Sequence, residues 1–217
     1  MYKRQFQGRQ YVSAEWQALE SPRVRFLHHS RRCRFRFGVF ERSTETDAPF
    51  YLYVAFNAPH APLHALPEDY AKYKGRYDEG WDNVRNARIE KQKKLGIVPE
   101  ELAPNPRPPH VRAWDKLVPW QRDFEINRMV TLAAMIDRVD QEIGRLVDDL
   151  REHNELENTL IVFVSDNGAC PYDRRKPQLN VEPTNGDISF SDSTGWAWAR
   201  NAPFRFCLLY TSPSPRD

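Results

Sequence analysis

The sequence predicts an α/β fold in which mostly parallel strands are joined by crossover helices. Two apolar runs, 50–56 and 159–164, have the continuous hydrophobic character of strands that are buried on both faces. Between them, residues 123–153 carry apolar side chains at alternating steps of three and four, as in an amphipathic helix. A strand, a helix and a second strand in this order form a crossover, which joins parallel strands.

The composition is that of a folded protein with nearly balanced charge. The 217 residues include 32 Lys and Arg and 30 Asp and Glu, so the formal net charge is +2, and 40% of the residues are hydrophobic. This balance argues against a dedicated nucleic-acid-binding protein, which normally has a strong basic excess. No stretch is long and apolar enough for a transmembrane helix. The three cysteines predict neither a disulfide framework nor a zinc site.

Both ends of the chain resemble translated sequencing-library adapter. Residues 1–5 (MYKRQ) and 207–217 (CLLYTSPSPRD) match such an adapter on opposite strands, and we exclude them from the fold prediction. We therefore expect residues 6–206 to be an internal fragment of a longer protein. Two ordinary flexible tails are the alternative, and the nucleotide sequence beyond either end distinguishes the two.

Residues 6–46 are rich in arginine and difficult to interpret. The stretch 23–42 interleaves arginines with phenylalanines and shows neither a helical nor a strand period. Such a segment can be a platform for single-stranded nucleic acid, a solvated edge or loop, or the product of a frameshift. The overall charge balance makes nucleic acid the least favoured of the three, and we expect no nucleic-acid partner.

Glycine and proline divide the region after the first predicted strand. Residues 67–95 predict short helices that are interrupted near Gly75 and Gly80. The proline-rich stretch that follows predicts an ordered surface excursion, because aromatic anchors, Trp114 and Trp120, lie within it.

The long helix and the regions after it complete the prediction. Residues 155–158 are expected to form the turn into the second strand, and residues 169–206 are polar, rich in Trp and without an assigned helix or strand. The predicted apolar stripe of the helix consists of Met129, Leu132, Ile136, Val139, Ile143, Leu146 and Leu150.

Three polar side chains follow the two predicted strands where each strand ends. His60 lies in a proline-flanked loop after the first strand, and Asp166 and Asn167 come directly after the second. The carboxyl ends of parallel strands meet at one edge of a sheet, where open α/β folds bind ligands, so these residues are candidates for one site. Carboxylate and amide oxygens suit Ca²⁺ or Mg²⁺, and a histidine can contact an anionic substrate or transfer a proton. A plain Asp-Asn-Gly turn and an ordinary loop histidine are the alternatives.

Three segments, in this order, resemble a known family. They are 49–62 (PFYLYVAFNAPHAP), 161–174 (IVFVSDNGACPYDR) and 194–205 (TGWAWARNAPFR). Together they resemble a formylglycine-dependent sulfatase of the arylsulfatase type, over about residues 47–206. The resemblance implies a partial alkaline-phosphatase-like α/β fold. It also implies that Asp166 and Asn167 are two of the calcium ligands and that His60 hydrogen-bonds the sulfate group.

The resemblance implies hydrolysis of the sulfate esters of sugars or aryl alcohols by a formylglycine nucleophile, assisted by Ca²⁺. The Cys-x-Pro-Ser-Arg motif that carries this nucleophile in the family is missing, because Cys33 and Cys170 have other continuations. We therefore assign Cys170 to packing or a loop, and we expect the fragment alone to be inactive. A sulfated small molecule or glycan is the expected substrate, and a periplasmic or secreted location is expected from the relatives. The sequence specifies neither the substrate alcohol nor the oligomeric state.

Two other functions stay open at this point. A phosphoester or phosphonate ester hydrolase of the same superfamily would use an unmodified Thr or Ser as its nucleophile. A non-catalytic protein would use the calcium site only for structure. Whatever the function, two strands without their sheet partners expose unpaired edges, so we expect the isolated fragment to aggregate.

Overall fold

The computed structural model describes most of the chain between the first predicted strand and residue 204. The described residues are 12–13, 51–170, 191 and 193–204. The adapter-like ends, 1–5 and 207–217, and almost all of the arginine-rich segment 6–46 lie outside them. No helix in the described part is long and apolar enough to cross a membrane.

Helices dominate the described part of the chain. The strands are β1 (Val12–Ser13) and β2 (Leu52–Tyr53), and the helices are α1 (Pro67–Ala71), α2 (Gly80–Lys94), α3 (Pro119–Glu152) and α4 (Thr194–Arg200). Single 3₁₀ turns lie at Trp114–Lys116 and Leu156–Asn158. The predicted short helices and the turn after the long helix are therefore confirmed, whereas α4 lies in a region to which the sequence assigned no element.

The chain divides into two compact units. One comprises Met1–Asn57 and Val139–Leu160, and the other comprises Ala58–Arg138 and Ile161–Asp217. Helix α3 is continuous through the boundary at residue 138. All three predicted site residues belong to the second unit.

Helix α3 confirms the predicted amphipathic helix and begins four residues earlier, at Pro119. Proline suits the first turn of a helix because its missing N–H has no partner there in any case. At the other end, Asn154 adopts φ 58, and the N–H of Glu155 bonds to the carbonyl of Leu150 at 2.9 Å. This hydrogen bond and a second one, from Asn154 N–H to Arg151 O, form a Schellman motif that stops the helix.

The predicted stripe of α3 is buried only in part. Met129, Leu132 and Leu150 are buried, but Ile136 is exposed. Residues 128–135 are instead buried on every side of the helix, including small and polar members that the stripe did not contain. This part of the helix is therefore covered on all sides. The periodicity of the apolar residues predicts only one buried face.

The predicted parallel sheet is not confirmed. Strand β2 covers only the centre of the predicted strand 50–56 and pairs in parallel with Val12–Ser13. Over residues 51–56 the side chains alternate between exposed and half-buried, so the predicted burial on both faces is not observed. The reason is that none of the described residues covers the second face.

The second predicted strand, 159–164, is not a strand among the described residues. Leu160, Phe163 and Val164 are 89%, 77% and 74% exposed. A strand exists only through hydrogen bonds to its neighbours, so a sequence with buried-strand character stays uncovered where those neighbours are missing.

Three tryptophan rings form the centre of the core in the second unit. Trp81 of α2 meets Trp114 edge to face with ring centroids 4.8 Å apart, and each of them lies 5.7 Å from Trp196 of α4. Aromatic pairs of this kind contribute about 0.5–1.5 kcal/mol beyond the area that they bury. The predicted anchoring by Trp114 is thus confirmed, but Trp120 is 47% exposed and is not an anchor. It occupies the exposed first turn of α3 instead.

Two glycines make this close packing of rings possible. A Cβ atom on Gly80, which has φ +80, would lie 2.1 Å from the ring of Trp114. A Cβ atom on Gly195 would lie 2.5 Å from the ring of Trp81. Both contacts are far below the sum of van der Waals radii, so any side chain there displaces a ring of the core.

We predict that Gly195→Ala lowers the free energy of unfolding by about 1–3 kcal/mol, the usual cost of an overpacked core. Gly144→Ala in α3 is the matched control, because nothing lies within 4 Å of the added Cβ. There the better helix propensity of Ala is expected to stabilise the protein by up to about 1 kcal/mol. Urea unfolding of both variants, in the protein expressed from the complete gene, measures both values, and equal effects of the two substitutions would contradict this packing.

We also predict that the isolated 217-residue chain aggregates through the exposed segment 160–164. Phe163→Lys is expected to raise its soluble fraction, since a charge on an exposed edge opposes pairing with another chain. Leu95→Lys is the control, because Leu95 is also largely exposed but follows a helix. Light scattering against concentration compares the two, and an equal gain from Leu95→Lys would argue for unspecific aggregation.

Candidate functional site

His60 lies at the exposed tip of a loop whose two ends are packed on the core. Leu63 is fully buried in the cluster of tryptophans, and Ala58 packs against the same cluster. The imidazole Nδ1 contacts the carbonyl oxygen of Ala61. A carbonyl only accepts, so Nδ1 carries a proton in this contact and Nε2 is the ring nitrogen available to a ligand. The packing thus fixes the loop and presents the imidazole to solvent.

Asp166 and Asn167 lie in an exposed turn with internal hydrogen bonds. The hydroxyl of Ser165 donates to the backbone oxygen of Asn167 at 2.7 Å, and the amide nitrogen of Asn167 donates to the oxygen of Gly168 at 2.9 Å. Neither contact uses the carboxylate of Asp166 or the side-chain oxygen of Asn167. Two hard oxygen donors on consecutive residues fit a calcium ion in their chemistry.

The described residues do not by themselves form a complete metal site. Among them, no group of three or more His, Cys, Asp and Glu side chains is placed to hold a metal ion. His60, Asp166 and Asn167 are all exposed, and their convergence on one ligand stays a prediction. Cys170, close behind this turn, is half-buried and is not in a disulfide.

The turn is tied to the core by Asn201, which the sequence analysis did not single out. The side-chain oxygen of Asn201 accepts a hydrogen bond from the N–H of Ala169 at 3.0 Å, and its amide nitrogen donates to the oxygen of Ala169 at 3.4 Å. Asn201 directly follows α4 and is 9% exposed. The Asn-Ala-Pro-Phe-Arg segment within the third resembling motif was the available signal.

Arg85 of α2 is a second residue that the sequence analysis missed. It is 1% exposed, and its guanidinium donates to the oxygen of Trp198 at 2.6 Å and to that of Phe204 at 3.2 Å. Its charge lies 4.7 Å from the ring centre of Trp198. Its spacing of four residues from both Trp81 and Ile89 places Arg85 on the buried side of the helix.

Arg85 therefore acts as a buried cation that is held by backbone carbonyls. Burial, and to a smaller extent the charge of Arg88, lowers its pKa, although a guanidinium keeps its proton at neutral pH. From the same helix, Gln92 donates to the oxygen of Ala202 at 3.0 Å. Helix α2 thus fastens the segment 198–204, which includes Asn201.

Known proteins resemble this chain over most of the part that carries these features. The family model described as Sulfatase matches residues 38–196. An arylsulfatase of Klebsiella aerogenes is 33% identical over 176 residues, which are 75% of this chain and 37% of that protein. An uncharacterized sulfatase of Schizosaccharomyces pombe is 40% identical over 59% of this chain and 23% of its own length. The human N-sulphoglucosamine sulphohydrolase is 31% identical over 58% of this chain and 22% of its own length. The chain thus spans well under half of each relative.

We predict that Arg85→Lys lowers the free energy of unfolding by about 2 kcal/mol or more. The single ammonium group of lysine does not replace the guanidinium of Arg85, which donates to several carbonyls at once. Arg112→Lys is the control, since the side chain of Arg112 is exposed. Chemical denaturation of both variants, in the protein expressed from the complete gene, gives the comparison. Equal stability of the two variants would show that the carbonyl contacts of Arg85 contribute little.

Proposed function

The chain belongs to the sulfatase family, and from this premise we propose that it supplies part of the active site of an enzyme that hydrolyses sulfate esters. The observation that carries the proposal is the exposed turn of Asp166 and Asn167, whose side-chain oxygens take no part in the two hydrogen bonds within the turn. This turn lies inside the residues that match the family. A turn that binds a ligand has to be exposed, whereas a turn with only a structural role can be buried in a core.

The proposed ligands of Ca²⁺ in this chain are the Asp166 carboxylate and the Asn167 side-chain oxygen. When bound, the ion would neutralise negative charge on the sulfate oxygens. The two residues are adjacent, and the backbone around them is held by hydrogen bonds within the turn. Further ligands and the formylglycine nucleophile of the proposed reaction would come from residues other than these.

The proposed role of His60 is to donate a hydrogen bond from Nε2 to the sulfate group or to the departing alkoxide. Sulfate is a weak base, so its recognition depends on fixed donors and cations rather than on proton transfer to the anion. The Nδ1 contact with Ala61 orients the ring, and a protonated imidazole then directs its second N–H outward. An exposed position at a rigid loop tip suits this role.

The proposed substrate is the sulfate ester of an aryl alcohol or a sugar. Among the relatives, one is named as an arylsulfatase and another for N-sulphoglucosamine, in which a sugar nitrogen carries the sulfate, so aryl and sugar substrates are both named among similar proteins. No residue described here selects between them. The shared chemistry, the sulfate group itself, is what the proposed ligands address.

We predict that His60→Ala lowers kcat for an aryl sulfate by about 100-fold or more, the usual contribution of a positioned proton donor. His110→Ala is the matched control, because His110 is also an exposed loop histidine. The measurement is steady-state kinetics with the protein expressed from the complete gene. Full activity of His60→Ala would exclude the proposed role.

Removal of calcium provides an independent prediction. Chelation with EDTA is expected to abolish sulfate ester hydrolysis, and added Ca²⁺ is expected to restore it, because the charge on the sulfate oxygens would otherwise lack a counter-ion. The corresponding aryl phosphate, assayed in parallel, separates a sulfatase from a phosphoester hydrolase of the same superfamily. Calcium binding without hydrolysis of either ester would favour a non-catalytic calcium-binding protein.

A further inference from the structure

The side chain of Asn201 pairs with the backbone of Ala169 as a second peptide group would. Its amide accepts from the N–H of Ala169 and donates to the carbonyl of the same residue, at 3.0 and 3.4 Å. Buried backbone groups need partners of this kind, and a carboxamide is the side-chain group that resembles a peptide group in offering both a donor and an acceptor. The pairing therefore depends on asparagine chemistry and not only on its size.

This pairing is long-range, whereas the other hydrogen bonds that the turn makes among the described residues are local. Ser165 to Asn167 and Asn167 to Gly168 span two residues and one residue, and they shape the turn without attaching it to anything else. The contact between Ala169 and Asn201 spans 32 residues. It lies only two residues beyond Asn167, so it limits where both proposed ligands can move.

Asn201 is itself held in place from several sides. Its N–H donates to the carbonyl of Ala197 at 3.0 Å, and its own carbonyl accepts from the N–H of Phe204 at 2.8 Å. Helix α2 holds the residues around it through Arg85 and Gln92. The turn is consequently coupled to the tryptophan core through a continuous set of hydrogen bonds and packed rings.

We propose that Asn201 is a positioning residue that presets the calcium-binding turn of Asp166 and Asn167. The inference rests on the proposed function, because it assumes that these two residues bind Ca²⁺. Without the pairing, the turn would have to be ordered at the moment of binding, which weakens metal affinity. Residues that orient metal ligands without touching the metal typically contribute about 10- to 100-fold in metal affinity or activity.

The test compares two substitutions at Asn201 with one at Asn105. Asn201→Asp keeps the size and the acceptor but loses the donor and places negative charge against the carbonyl of Ala169, and Asn201→Ser removes the amide altogether. Asn105→Asp is the matched control, since the amide of Asn105 donates to the oxygen of Pro203 at 3.3 Å, on the same segment but away from the turn. Isothermal titration with CaCl₂, on the metal-depleted protein expressed from the complete gene, measures the affinity.

We expect Ca²⁺ affinity to fall by about 10-fold or more in both Asn201 variants and by less than about twofold in Asn105→Asp. Saturating Ca²⁺ should return kcat of the Asn201 variants to near the unsubstituted value, which a merely structural defect would not allow. The melting temperature without calcium, measured in parallel, shows whether a variant is folded. If one Asn201 variant does not fold, the other still decides the comparison.

Unchanged Ca²⁺ affinity in a folded Asn201 variant would overturn the inference while leaving the proposed function intact. The same holds if affinity falls but added Ca²⁺ does not restore kcat. A failure of the unsubstituted protein to bind Ca²⁺ would instead overturn the calcium part of the proposed function, and the inference with it. The two failures are therefore distinguished by the unsubstituted protein alone.

Discussion

The interlocked rings of Trp81, Trp114 and Trp196 are the constraint on which the described structure of the second unit depends. They join helix α2, the proline-rich excursion and helix α4, three segments that are far apart along the chain. Gly80 and Gly195 are required because a Cβ atom at either position would collide with a ring. Edge-to-face rings tolerate little displacement, so the packing of this cluster fixes the positions of the elements that are attached to it.

Both candidate functional segments are attached to that cluster, by different kinds of contact. The loop of His60 is attached through the apolar side chain of Leu63. The turn of Asp166 and Asn167 is attached through polar contacts, because Asn201 binds Ala169 and helix α2 binds the segment around Asn201. In each case an exposed polar group stands close to a buried anchor, which is how a protein presents a reactive group without leaving it mobile.

The exposed segment 160–164 has no strand partner and no covering layer among the described residues. Its apolar side chains have the character of a buried strand, yet the described part of the chain offers them neither ladder partners nor a covering layer. This segment leads directly into the candidate calcium turn. The hydrogen bonds of Asn201 therefore matter more here than they would beside a fully paired strand, because they attach the turn from its far side.

The sequence by itself determined the elements that depend on local patterns. The spacing of apolar residues predicts helix α3, and a glycine predicts the interruption before α2. The turn at Leu156–Asn158 follows from the end of the apolar repeat, and all three signals act within a few residues. The family also followed from the sequence, because motifs in a fixed order can be recognised without knowing the structure around them. The candidate residues His60, Asp166 and Asn167 were chosen on the same basis.

Only the tertiary structure decided which of these features acquire partners. It showed Trp114 packed against the core and Trp120 about half exposed, although both occur in the same proline-rich context. It showed that Arg85 is buried and donates to backbone carbonyls, and that Asn201 pairs with a residue 32 positions away. The physical reason is that burial and long-range hydrogen bonding depend on which segments meet in space. Local sequence patterns do not specify these contacts between distant segments. A strand, unlike a helix, cannot form without hydrogen bonds to such a neighbour.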